Sequence, residues 1–93
     1  MKRFRDIDLE VALSVTTGRM LAQEFSHLHN AIQWLYGTDE DLASIGIVLC
    51  HPKAKENLLR QYPDLPTEME GVMDDFVREE KERFGSKLTV ERG

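Results

Sequence analysis

The chain has 93 residues, 41% hydrophobic and 31% charged, with 17 acidic and 12 basic side chains for a formal charge of -5. That length makes a single domain, 1–93, whose core buries roughly 60–65% of the unfolded surface. The acidic balance argues against duplex DNA or an anionic membrane as main partner, since phosphate binding rests on a basic footprint.

The first residues, MKRFRDIDLE, carry charges and no apolar segment, so they do not read as a signal peptide. Residues 1–5 read as basic and loose, with Phe4 able to dock. Asp6 or Asp8 can cap a first helix, in which Leu9, Ala12 and Leu13 share a face beside Val11 and Val15. The β-branched Val15, Thr16 and Thr17 lower helix propensity, and Gly18 stops the helix. At about two turns it cannot stand alone and must lie on a neighbour. Residues 19–23 form the link to that neighbour.

Residues 24–36 give the plainest amphipathic pattern. Phe25, Leu28, Ile32 and Leu35 recur at helical spacing, Ala31 permits close approach, and Gly37 ends the helix. Trp34 lies off the main stripe and needs a second contact. Thr38, followed by Asp39, Glu40 and Asp41, reads as the N-cap of the next helix, with Leu42, Ile45, Val48 and Leu49 inward. Its run of apolar residues, 45–50, contains Gly46 and falls far short of the roughly 18–20 residues that span a bilayer. His51-Pro52 reads as a break or kink, after which residues 53–62 form a further helix with Ala54, Leu58 and Leu59 inward. Residues 63–66, PDLP, are a rigid turn.

Thr67 and Glu70 have capping-box spacing, so a helix is expected from Thr67 to Gly85. Met69, Val72, Met73, Phe76, Val77 and Phe84 make its buried stripe; Glu68, Asp74, Asp75, Glu79, Glu80 and Glu82 make its solvated face. Residues 87–91, KLTVE, alternate as one short strand. Its partner is the 19–23 link, the Phe4 segment or another subunit. The fold class is therefore all-α: a small bundle of four or five short helices with a short C-terminal strand.

Several blocks resemble a known family. Residues 13–21, LSVTTGRML, resemble the L-S-V-T-T-G-R-L-L signature of a domain of unknown function carried by many tailed bacteriophages. Tyr36-Gly37 is similar in kind to the aromatic-glycine turn that follows it there. Residues 58–65, LLRQYPDL, are similar to the family's L-L-R-Q-H-P-x-L run, with Tyr62 in place of histidine. Residues 85–90, GSKLTV, resemble its ending, whereas residues 38–54 depart from its pattern. The resemblance implies a phage origin and action in the bacterial cytoplasm, where a chain with one cysteine, Cys50, is at home. It carries over no catalytic residue.

Candidate chemistry is sparse. His27 and His29 are two apart and so point from different helix faces, and Cys50-His51 has no second cysteine pair, so no metal site and no cofactor are expected. Thr16, Thr17, Gly18 and Arg19 could cradle a nucleotide or other anion, or simply end a helix. Cys50 lacks a base placed to activate it, so no enzyme is expected. Trp34, Tyr36 and Tyr62 are candidate interface anchors, and Asp74, Asp75, Glu79 and Glu82 a candidate acidic contact surface. The leading expectation is a non-enzymatic, phage-type interaction protein that binds and modulates a bacterial or phage protein, such as a defence component. A small-ligand module at the Thr16–Arg19 turn is the alternative. A homo-oligomer is also expected, because Trp34 and the final strand lack evident partners.

Overall fold

The computed structural model describes residues 3–40 and 44–93. Its centre is α1 (Leu9–Thr17), in which Leu9, Val11, Ala12, Leu13, Ser14, Val15 and Thr16 are all buried. A helix buried on nearly every side belongs inside a core, and its Ser14 and Thr16 hydroxyls are hydrogen-bonded there. Burial outweighs the few tenths of a kcal/mol per residue that the β-branched run costs. Asp8 occupies the N-cap position without a capping bond from its side chain; the Leu9 N–H donates instead to the Ser86 carbonyl at 2.9 Å. At the other end Gly18 takes φ 74° and its N–H donates to Ser14 O, the expected stop.

The second helix, α2 (Phe25–Tyr36), ends at Gly37, also left-handed at φ 91°. Ala31, Ile32, Trp34 and Leu35 are buried, and Leu28 packs against them. Phe25, expected inside, is 51% exposed, with the His29 ring edge-on at 6.3 Å.

Residues 44–61 correct the sequence reading most. They form one helix, α3 (Ser44–Gln61), with Pro52 inside it, rather than two helices broken at His51-Pro52. Pro52 is exposed, so water can reach the carbonyl its missing N–H leaves unpaired. The buried stripe is Ile47, Cys50, Ala54 and Leu58. Val48 and Leu49, expected inward, are 69% and 75% exposed. Thr38 Oγ1 accepts a bond from Glu40 N–H in a local turn and does not cap α3, which begins later. Asp41, Leu42 and the side chain of Ile45 lie outside the described residues.

The last helix, α4 (Met73–Phe84), also starts later than expected. Gly71 has φ 74°, which a helix running on from Thr67 could not contain, so the Thr67–Glu70 box is not formed. Phe76 is buried and Val77 and Phe84 pack on the core, but Val72 and Met73 are 65% and 46% exposed. Glu80, expected on the solvated face, is buried at 8% because it falls four residues from both Phe76 and Phe84. Both of its oxygens accept from Arg83 Nη1 at 3.1 Å.

The fold is mostly helical, with four helices among the described residues as expected, but it carries a two-stranded sheet rather than a terminal strand alone. Residues 87–91 form the expected strand, β2 (Lys87–Glu91), and the N-terminal segment read as loose is a second strand, β1 (Phe4–Asp8). The two pair antiparallel with Phe4 opposite Glu91 and Ile7 opposite Leu88. Ile7, Leu88 and Val90 point into the core. The far edge of β2 is covered by α3 side chains. Gln61 Nε2 donates to Glu91 O at 3.0 Å, Glu91 N–H donates to Gln61 Oε1 at 2.7 Å, and Tyr62 Oη donates to Thr89 O at 2.6 Å. The Gln61 amide thus imitates one peptide unit of a further strand and protects the edge.

Candidate functional site

The LSVTTGRML turn is wired inward. Ser14 Oγ donates to Glu10 O at 2.8 Å and accepts from the N–H groups of Leu21 and Ala22, each at 3.0 Å. One donation and two acceptances use the full capacity of a hydroxyl. Thr17 Oγ1 donates to Leu13 O at 2.7 Å and accepts from Arg19 N–H at 3.3 Å, while the buried Thr16 Oγ1 donates to Leu13 O at 3.3 Å. With Gly18 N–H on Ser14 O, the Thr16 and Thr17 hydroxyls and the backbone N–H groups of Gly18 and Arg19 are engaged locally, while the Arg19 side chain is exposed. His51 Nε2 lies 2.7 Å from Val15 O, and since a carbonyl only accepts, that nitrogen carries the proton. This bond ties α3 to the last turn of α1.

The aromatic candidates separate. Trp34 is buried at 9%, with Nε1–H donating to Val90 O at 3.1 Å. Its second contact therefore comes from this chain, as does the partner of β2, so neither feature now calls for another subunit. Tyr62 is half-buried and bonded to β2, whereas Tyr36 is exposed with the Lys53 ammonium 6.0 Å from its ring centre. On α4, Asp74, Asp75, Glu79 and Glu82 are all exposed, and Asp75 pairs with Arg78 at 2.8 Å. Glu24 lies 3.4 Å from His27. Cys50 is a buried free thiol. Among the described residues, no three His, Cys, Asp or Glu side chains gather as metal ligands, and no helix is long and apolar enough to cross a membrane.

Three arginines that the sequence reading passed over surround Trp34. The guanidinium carbons of Arg3, Arg5 and Arg92 lie 5.6, 4.6 and 5.6 Å from its ring centre. The charges come from opposite ends of the chain, so no local pattern announces them. The available signal was Trp34's missing contact combined with pairing of the Phe4 segment to residues 87–91. A concavity of about 200 Å³ beside the Ser14-centred turn is lined by Gly18, Arg19 and His51 together with the apolar Met20, Ile32 and Ile47.

A family model described as a domain of unknown function, DUF7736, matches residues 8–68, well over half of the chain. The chain belongs to this DUF7736 family. The matched segment holds α1, α2, α3 and the buried Leu65, and it includes the whole Ser14-centred turn. The helix α4 and strand β2 follow it: β2 docks on Trp34, Gln61 and Tyr62 of the DUF7736 segment, and α4 pairs Lys81 with Glu10 of α1 at 2.8 Å. No curated protein and no solved structure matches the chain.

Proposed function

We propose that the chain is a non-enzymatic interaction protein of the phage type its signature resembles, binding a bacterial protein and modulating it. A defence component is one such target, and the bacterial cytoplasm the place of action. The observation that carries this reading is the surface of α4. Asp74, Asp75, Glu79 and Glu82 stand exposed along it, and Val72 and Met73 add uncovered apolar area at its start. An acidic helix face beginning in apolar side chains suits a partner with a basic surface and an apolar recess. Trp34, being buried, takes no part in that contact.

Affinity capture from a transformed bacterium tests the proposal. The tagged chain is expected to retain one bacterial protein at low salt, and Asp74→Lys with Glu79→Lys and Glu82→Lys to release it. Rapid loss of binding with rising salt is expected as well, because exposed charges are screened beyond a Debye length of about 8 Å at 0.15 M. Capture that survives charge reversal would reject α4 as the contact surface.

A further inference from the structure

The sheet ends in an arrangement that electrostatics disfavours. Arg92 N–H donates to Arg3 O at 2.9 Å, which extends the ladder one pair beyond Phe4–Glu91 and sets Arg3 directly opposite Arg92. Arg5 stands two residues along on the same face. Like charges placed opposite one another on a sheet destabilise it. All three guanidinium carbons lie within 5.6 Å of one indole centre, so any two are within about 11 Å of each other. That is close to the ~10 Å Debye length at 0.1 M salt. Only Arg92 has a carboxylate partner among the described residues, Asp39 at 2.7 Å. The cluster therefore keeps an excess of two positive charges in a chain whose formal charge is -5.

The three arginines, Trp34 and the Asp39 carboxylate paired with Arg92 line a polar recess of about 280 Å³, with Asn30, Gln33 and Thr38 supplying neutral donors and acceptors from α2 and the turn after it. The indole beneath is fixed by its bond to Val90 O. Guanidinium groups converging on a walled recess form a receptor for a tetrahedral oxyanion, which they can bind by paired N–H donors. We infer that Arg3, Arg5 and Arg92, held over Trp34, bind a phosphate group, either as inorganic phosphate or as the phosphate monoester of a mononucleotide. The site is separate from the Thr16–Arg19 turn and from the α4 surface. The bound anion offsets the repulsion that the pairing of Arg3 with Arg92 builds in.

Trp34 is the chain's single tryptophan, so its emission reports on this recess alone. The experiment titrates the full chain with inorganic phosphate and, separately, with adenosine 5′-monophosphate, against chloride at matched ionic strength. A saturable change in emission and a raised melting temperature are expected with phosphate, with the nucleotide, or with both. A response to both at similar affinity assigns the phosphate group alone, and a response to the nucleotide only assigns the monoester. Arg3→Gln and Arg5→Gln should each weaken binding about tenfold, the loss of one charge-assisted contact. In phosphate-free buffer the same variants should melt no lower than the parent, because each removes a repelling charge. That separates an anion receptor from arginines that merely pack on the ring. No response to either anion at about 10 mM, where even millimolar sites fill, would overturn the inference. Affinity unchanged in both variants would do so as well.

Discussion

Ser14 shows how much one small side chain can hold. Its hydroxyl closes the last turns of α1 and receives the buried N–H groups of Leu21 and Ala22, so it fixes the path by which the chain leaves α1 for α2. Ser14→Ala leaves the Ala22 amide without a partner and the Leu21 N–H with only its 3.0 Å bond to Arg19 O. At about 1–3 kcal/mol for a buried unsatisfied group, a loss of about 1–3 kcal/mol is expected in urea unfolding, with an unchanged dependence on denaturant. Arg19→Ala, exposed and outside this network, should stay within about 0.5 kcal/mol of the parent. Gly37 is a second such point. It holds φ 91°, and a side chain there would run into the Gly93 backbone, whose N–H donates to Trp34 O. Gly37→Ala is expected to cost about 1–3 kcal/mol by the same measurement.

At the scale of elements, Pro52 makes the clearest forecast. It sits in the interior of α3, where proline forfeits a backbone bond and crowds the preceding turn. Pro52→Ala should therefore stabilise the chain, by up to about 3 kcal/mol in urea unfolding. A neutral result would mean that the bond from His51 to Val15 O depends on the local bend and is lost with it. The same helix shows where local reading stops. Val48 and Leu49 are as apolar as Ile47, and only the placement of α1 and α2 decides that Ile47, Cys50 and Ala54 face inward. By contrast α2, its Gly37 stop and the KLTVE strand were legible, because amphipathic spacing and a glycine terminator are local signals. β1 was legible only as one of three candidate partners for KLTVE: FRDID offers one inward apolar residue, Ile7, and becomes a strand through pairing with residues 87–91 at the other end of the chain. The start of α4 was misplaced because the Thr67–Glu70 spacing competes with Gly71, and the left-handed glycine wins. Of the candidate site residues, the acidic set on α4 came out exposed as expected, whereas Trp34 turned inward. The arginine cluster needed the register between the two ends before it existed as a group at all.

On the scale of the whole molecule, β2 is the piece that completes the DUF7736 frame. Leu88 and Val90 fill the core beside α1, and the strand's backbone satisfies Trp34, Gln61 and Tyr62. Removing residues 86–93 uncovers that side of α1 and leaves those side chains without partners. The expected result is loss of the cooperative thermal transition, read by circular dichroism, rather than a lower melting point. A truncated chain that still melts sharply would show that the helices alone suffice.

Because β1 and β2 run antiparallel and meet at Arg3 and Arg92, both ends of the sheet ladder leave it from the same side. Tension applied to the two ends therefore acts crosswise to the strands and loads the interstrand bonds one after another, as a zipper opens from its tab. Such a molecule should yield at low force in an optical trap. Its mechanical weak point would then be the very corner where the three arginines crowd the indole.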